Sequence, residues 1–239
     1  MCQWDMINHL AGCLFMSIAE QVLQLQHQIR DKAQGRVVTL VAVSKGQGPA
    51  ALRAAYEAGV RDFGESYVQE ALPKLTALHS LPIRWHFIGP IQSNKTTVIA
   101  RHFSWVHSVE RDRIARRLSD SRLEAGLAPL QVCLQVNLSQ EPSKSGVAPQ
   151  ALEELAQCVA LLPGLHLRGL MTLPEPSSCV ELQRQRFARL RQEQERLLRL
   201  GYDLDTLSMG MSGDYIAALA EGSTIVRIGT AIFGERNNT

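Results

Sequence analysis

The sequence has few lysines, and it lacks the cysteine and histidine patterns of a disulfide framework or a metal site. Only five of its 25 basic residues are lysines, at positions 32, 45, 74, 95 and 144. The five cysteines are odd in number, scattered and without a CxxC pair. This pattern favours free thiols in a reducing compartment. The seven histidines form no HxxxH or HxH pair on one predicted face, so we expect no metal site.

Long apolar runs are also missing. No stretch reaches the roughly 18 apolar residues that a membrane-spanning helix needs. The apolar segment 10–19 follows a start whose one charged residue is Asp5, whereas a secretory signal begins with basic residues. The net charge of +2 is near neutral, and the Arg-rich stretch 111–122 also contains Asp112 and Asp120, as a solvated helix face does. We therefore expect a cytoplasmic protein that binds neither membrane nor nucleic acid.

Eight short runs of β-branched and apolar residues alternate with helical patterns. The runs span 37–44, 60–66, 85–89, 103–109, 130–138, 165–172, 204–209 and 224–229. Each run but the last is followed by a helical pattern, and another, built on Ile18, Val22, Leu25 and Ile29, precedes the first. Such alternation predicts parallel strands with crossover helices, and eight of them close into a barrel.

The organisation that we predict is one (β/α)8 TIM-type barrel domain over residues 1–239, with residues 1–35 as an N-terminal helical extension packed on it. No linker or low-complexity segment interrupts the alternation. A doubly wound open sheet is the alternative. Such a sheet usually has a glycine-rich phosphate turn after its first strand, and KGQG at 45–48 is not GxGxxG.

Polar residues that end the predicted strands are the candidates for chemistry, because active groups of this fold lie at the carboxyl ends of the strands. Lys45 directly follows the first strand. Its amine is a candidate nucleophile at the barrel mouth. The alternative interpretation, a lysine whose charged end simply extends into solvent, has equal weight from this residue alone.

The loops after strands seven and eight are the usual phosphate position of this fold. Ser212 follows strand seven at a predicted helix start, where its hydroxyl and backbone N–H groups can bind an anion. Gly229 and Thr230 form a second tight turn after strand eight. Each segment could be an ordinary helix cap. Together, opposite Lys45, they indicate a phosphorylated aldehyde cofactor held at both ends.

Arg227 lies within the last predicted strand, where an unpaired charge would be costly. It therefore needs a partner, either a carboxylate or a ring nitrogen of the ligand. Arginine is one of two protein partners of the pyridine nitrogen in pyridoxal phosphate enzymes.

Seven segments carry a family resemblance. They are VAVSK at 41–45, AGVRDFGESYVQEA at 58–71, WHFIGPIQSNK at 85–95, NLSQEPSKSG at 137–146, RGLMTLP at 168–174, LSMGMSGDY at 207–215 and VRIGTAIFG at 226–234. They resemble the pyridoxal phosphate homeostasis family, single-domain relatives of the alanine racemase N-terminal barrel.

The resemblance implies specific roles for seven residues. Lys45 would form the Schiff base with pyridoxal 5′-phosphate, an internal aldimine. Ser212, Gly229 and Thr230 would bind the phosphate, Arg227 would face the pyridine nitrogen, and His86 and Met209 would line the pocket. The family usually has asparagine where this chain has Ser66, and residues 1–11 have no counterpart.

The function that the resemblance implies is vitamin B6 homeostasis: a cytoplasmic monomer that buffers pyridoxal phosphate or transfers it to apo-enzymes, without established turnover. A racemase needs a base on each face of the substrate carbon. The related racemases take the second base, a tyrosine, from a second domain and a partner subunit, and we expect no such domain in this chain, whose sequence runs to Thr239. A racemase or lyase of low activity is the alternative function, and a regulatory partner-binding protein is the third.

Overall fold

Eight parallel strands close into a barrel in chain order in the computed structural model, which describes residues 16–139 and 145–235. The strands are β1 (Thr39–Val43), β2 (Asp62–Glu65), β3 (Arg84–Phe87), β4 (Trp105–Val109), β5 (Leu130–Gln135), β6 (Leu165–Met171), β7 (Thr206–Ser208) and β8 (Ile225–Ile228). The ring closes where β1 pairs with β8, with Val41 opposite Arg227. The predicted (β/α)8 barrel is confirmed, and the open sheet is excluded.

Helices surround the barrel. They are α1 (Ile18–Lys32), α2 (Pro49–Glu57), α3 (Val68–Ala77), α4 (Thr96–His102), α5 (Asp112–Glu124), α6 (Leu152–Ala160), α7 (Val180–Arg199), α8 (Tyr215–Ala220) and α9 (Thr230–Phe233), with 3₁₀ turns at Ser93–Lys95 and Pro149–Ala151. The sequence pattern predicted no helix after the last strand. The structure has one short turn there, α9, which is too short to produce a helical periodicity.

The predicted N-terminal helix is α1. It begins with a capping box, in which Ser17 Oγ accepts from Glu20 N–H while the Glu20 carboxylate accepts from Ser17 N–H at 2.7 Å. Its apolar stripe, Val22, Leu25 and Ile29, is buried against the barrel layer, where the helix packs on α2, α8 and α9. Residues 1–15 lie outside the described residues.

Close packing at the barrel mouth requires glycine after β3. A Cβ at Gly89 would lie 2.1 Å from the carbonyl oxygen of Ser66, so any side chain there would push the ends of β2 and β3 apart. Ser66 therefore keeps its place at the mouth of the barrel only because residue 89 has no side chain.

Two kinds of feature are absent from the part of the chain that the structure describes. No helix there is both long and apolar enough to cross a lipid bilayer. No group of three or more His, Cys, Asp or Glu side chains in residues 16–139 and 145–235 could hold a metal ion.

Candidate functional site

A cavity of about 410 Å³ opens at the carboxyl ends of the strands, which is where active sites of this fold lie. Its size is within the roughly 300–1,000 Å³ range of small-molecule pockets. The lining comes from the ends of β1, β2, β3 and β8 and from the loops after β6 and β7: Val43, Lys45, Gln47, Ser66, Ile88, Leu173, Met211, Ser212, Gly213, Arg227, Gly229, Thr230, Phe233 and Gly234. Five of the seven predicted site residues meet in this cavity.

Lys45 is half-buried and lies two residues after the end of β1. Its Nζ lies 5.3 Å from the centroid of the Tyr67 ring, within the range of a cation–π contact. The next residue, Gly46, donates its N–H to the Glu70 carboxylate at 3.0 Å, which ties the turn to α3. A single amine is thus held at the cavity wall by a fixed turn.

A buried charged cluster lies next to this turn, and sequence reasoning missed it. Lys74 Nζ donates to Glu65 Oε1 and to the Ser44 carbonyl, both at 2.7 Å, and Ser44 Oγ donates to the same carboxylate oxygen at 2.5 Å. Burial raises the pKa of Glu65, although these bonds oppose the shift. Glu65 Oε2 is the one buried side-chain N or O atom without a partner in the described residues. The cluster joins the end of β1 to β2 and α3.

A group of hydrogen-bond donors lies at another wall of the cavity. The hydroxyls of Ser212 and Thr230 are 3.4 Å apart, and the Ala231 N–H donates to Ser212 Oγ, also at 3.4 Å. A Cβ at Gly229 would lie 3.2 Å from the Val43 carbonyl oxygen, so glycine lets these two strand ends approach each other. Such a cluster suits an anion with several acceptor oxygens.

Arg227 reaches the cavity from inside the barrel and is 3% exposed. Its Nη1 donates to Ser208 Oγ at 2.5 Å and its Nη2 donates to the Thr172 carbonyl at 2.9 Å. Burial lowers the pKa of its guanidinium to about 10, so the group stays charged at neutral pH. The sequence left two kinds of partner open for Arg227, a carboxylate or a ring nitrogen of the ligand. Neither of these hydrogen bonds goes to a carboxylate, because the Ser208 hydroxyl and the Thr172 carbonyl are both neutral acceptors.

His86 and Met209, predicted to line the pocket, are not among its lining residues. Both are buried inside the fold, His86 at 1% exposure and Met209 at 0%. The His86 ring hydrogen-bonds to Asp62 and His107 and does not face the cavity. His86 lies deeper in the barrel than Ile88, which is two residues further along the chain and does line the cavity. The described lining of this cavity therefore does not include them, and their contact with a cofactor stays a prediction.

A second cavity, of about 550 Å³, lies at the opposite end of the barrel. It is lined by residues of α1 and by the amino ends of β1 to β3, with Arg30, Arg36, Arg61 and Arg84 among them. No lysine is among its lining residues. It offers no amine for a carbonyl ligand, so the chemistry that the sequence indicates belongs to the cavity at the barrel mouth.

Comparison with known proteins gives consistent matches over most of the chain. The model of the alanine racemase N-terminal domain family matches residues 22–237. A pyridoxal phosphate homeostasis protein of Pseudomonas aeruginosa is 58% identical over 226 residues, 92% of this chain and 96% of the relative. A protein of the same name from Escherichia coli K12 is 48% identical over 225 residues, 88% of this chain and 94% of the relative.

Solved structures agree with these matches. The structure of PipY from Synechococcus elongatus with pyridoxal phosphate bound is 38% identical, with a TM-score of 0.84, and covers 91% of this chain and 100% of that one. Alanine racemase from Corynebacterium glutamicum, at 16% identity and a TM-score of 0.68, covers 92% of this chain and 61% of that one. The latter likeness shows the fold alone.

Proposed function

This chain belongs to the pyridoxal phosphate homeostasis protein family, and on that premise we propose that it binds pyridoxal 5′-phosphate at the barrel mouth through a Schiff base on Lys45. The observation that carries the proposal is one cavity that combines a lysine amine, a cluster of hydroxyl and N–H donors, and a buried guanidinium. The protein serves vitamin B6 homeostasis: it holds the cofactor, buffers its concentration and releases it.

Each part of the cofactor has a complementary group in the cavity. Lys45 supplies the amine for the aldehyde. Ser212, Thr230 and the Ala231 N–H supply donors for the phosphate oxygens, each charge-assisted bond contributing about 1.5–3 kcal/mol. Apolar side chains, Val43, Ile88 and Phe233 among them, offer surfaces for an aromatic ring. When bound, the cofactor supplies an electrophilic carbon that reacts with primary amines.

Arg227 faces the ring nitrogen in this arrangement. A guanidinium has only donors, so it gives a hydrogen bond to that nitrogen and keeps a proton off it. A second proton would place two positive groups in contact. Arg227 thereby keeps the ring a weak electron acceptor, which suits a protein that stores the cofactor and does not consume amino acids.

The lining of the cavity supports storage over turnover. A racemase needs a proton acceptor on each face of the substrate carbon. Among the described residues that line the cavity, no His, Asp, Glu, Cys or Tyr is available as a second proton acceptor beside Lys45. We therefore assign no catalytic residue.

Release of the cofactor is compatible with the exposure of the donor cluster. Thr230 is exposed and Ser212 half-buried, so water can reach the phosphate end. The apo forms of pyridoxal phosphate enzymes are the recipients in this proposal, and the protein acts as a monomer in the cytoplasm.

One experiment separates storage from turnover. The loaded protein is mixed with an apo-enzyme that needs pyridoxal phosphate, and in parallel with a panel of L- and D-amino acids. Recovery of the apo-enzyme's activity, without steady loss or inversion of any amino acid, supports the proposal. Steady product formation from an amino acid would instead make the protein a racemase or lyase.

A further inference from the structure

A row of buried polar groups crosses the barrel interior from β8 to β2. Arg227 Nη1 is 2.5 Å from Ser208 Oγ, which is 2.7 Å from His107 Nδ1. His107 Nε2 is 2.9 Å from His86 Nδ1, and His86 Nε2 is 2.9 Å from Asp62 Oδ1. Each of these five residues is at most 5% exposed to solvent. The row therefore runs through the barrel core rather than along its surface.

The hydrogen bonds of this row can point in only one direction. Arg227 can only donate, so Ser208 Oγ accepts from it and has its own hydrogen left for His107 Nδ1. A neutral His107 then carries its proton on Nε2 and donates to His86 Nδ1, and His86 donates from Nε2 to Asp62. Burial lowers the pKa of His86 and lowers that of His107 still further, which keeps both rings neutral. The tautomers of His107 and His86 are therefore fixed by Arg227 at one end of the row and by Asp62 at the other.

The far end of the row is anchored by an ion pair. Arg84 donates from Nε to Asp62 Oδ1 at 2.7 Å and from Nη2 to Oδ2 at 2.6 Å. These bonds and the one from His86 hold the pKa of Asp62 below its usual value, although its burial opposes that shift. The carboxylate stays charged, and the orientation of every group between it and Arg227 follows from that charge.

The near end of the row fixes the guanidinium. Ser208 holds Nη1, and the Thr172 carbonyl holds Nη2, so the plane of the group is set from two sides. The two bonds use two of the five N–H donors of an arginine, which leaves donors for a group in the cavity. Without the Ser208 hydroxyl, the guanidinium would be held by the Thr172 carbonyl alone.

We propose that Ser208, His107 and His86 are positioning residues, anchored by Asp62, that orient the Arg227 guanidinium toward the ring nitrogen of the bound cofactor. The inference rests on the proposed function, and it gives His86 a role that does not require contact with the cofactor. Its consequence is selectivity: the row contributes to affinity only for a ligand that has an acceptor at the position of the ring nitrogen.

The test compares two ligands, pyridoxal phosphate and its analogue in which C–H replaces the ring nitrogen. Dissociation constants are measured for the wild type, Ser208→Ala and His107→Phe. The matched control is Ser223→Ala, which also removes a buried hydroxyl at the junction of β7 and β8. The Ser223 hydroxyl donates to the Met209 carbonyl at 2.7 Å and takes no part in the row.

The wild type should prefer pyridoxal phosphate over the analogue by about tenfold or more, the value of one hydrogen bond to a charged group. Ser208→Ala and His107→Phe should lose most of that preference by weakening pyridoxal phosphate alone, whereas Ser223→Ala should keep it. An equal loss for both ligands, or an unchanged preference in Ser208→Ala, would overturn the inference. Equal binding of both ligands by the wild type would also overturn it, with the proposed function intact. If the wild type bound neither ligand, both the inference and the proposed function would be overturned.

Discussion

Ser212 and Thr230 place their hydroxyls 3.4 Å apart although 18 positions of chain separate them. One lies in the loop after β7 and the other begins the turn after β8, so the closed barrel brings the two loops together. If these hydroxyls bind a phosphate, Ser212→Ala and Thr230→Val should each weaken pyridoxal phosphate binding by about 1.5–3 kcal/mol. The affinity for unphosphorylated pyridoxal should barely change in either variant. Equilibrium titration with both ligands measures this difference.

Thr230→Ser is the matched control, because it keeps the hydroxyl and removes only a methyl group. It should retain nearly all of the wild-type affinity for pyridoxal phosphate. Parallel losses for the phosphorylated and unphosphorylated ligands in Ser212→Ala and Thr230→Val would show that these residues do not hold the phosphate.

Ser66 lines the cavity at a position where the family usually has asparagine. The serine hydroxyl is shorter than an asparagine amide, so Ser66→Asn should add a direct hydrogen bond to the ligand. We expect a gain of about 0.5–1.5 kcal/mol in pyridoxal phosphate binding. Ser66→Ala should change the affinity less than Ser66→Asn does. A weaker affinity in Ser66→Asn would mean that this cavity has no space for the longer side chain, and that the site differs here from its relatives.

Lys74 and Glu65 form a buried pair, with side-chain exposures of 8% and 0%. Lys74→Met should leave the Glu65 carboxylate buried and uncompensated, at a cost of about 3–5 kcal/mol in the free energy of unfolding. The double variant Lys74→Met with Glu65→Leu should recover much of that loss, because both charges are gone. Lys32→Met, at an exposed position on α1, is the control. Urea unfolding gives the free energy of unfolding of the wild type, Lys74→Met, the double variant and Lys32→Met. Equal values for all four proteins would contradict the role assigned to the pair.

The buried histidines predict a pH dependence of stability. Burial lowers the pKa of His107 well below that of a free histidine, and lowers that of His86 as well. As the pH falls through about 6.5, the unfolded chain takes up protons at these positions and the folded chain does not. The stabilisation that the neutral rings provide is therefore complete above about pH 6.5 and is lost as the pH falls.

His107→Phe should flatten this dependence between pH 7.5 and 5.5 by up to about 1.4 kcal/mol per pH unit below 6.5. His166→Gln, which removes an exposed histidine of β6, should leave it unchanged. Urea unfolding at the two pH values provides the comparison. An identical dependence in His107→Phe and the wild type would show that His107 is not held neutral in the folded protein.

Strands such as β1 and β5 were predictable because they are largely buried and form short runs rich in apolar residues, TLVAV and LQVCLQ. The predicted run 37–44 contains β1, and the run 224–229 contains β8. Lys45, Ser212 and Thr230 were predictable for a related reason: they lie within four residues of the ends of β1, β7 and β8, and the barrel gathers the carboxyl ends of strands at one mouth.

The buried polar groups could not be predicted in the same way. His107, His86 and Ser208 lie on three separate strands, and the alternation along a strand gives the face of a residue but not its neighbours across the barrel. Those neighbours depend on strand register, such as the pairing of Asp62 with Arg84. The place of His86 in the pocket was implied by the family resemblance alone, and the row that it belongs to was not foreseen.

Borohydride reduction followed by mass spectrometry of the labelled peptides shows whether Lys45 forms the Schiff base with the cofactor. The protein loaded with pyridoxal phosphate should absorb in the visible range, and reduction should fix the cofactor on the peptide that contains Lys45. Lys45→Ala should abolish that band and leave the fold intact, whereas Lys95→Ala should keep it. A reduced adduct on another lysine, such as Lys144, which lies outside the described residues, would show that Lys45 does not form the Schiff base.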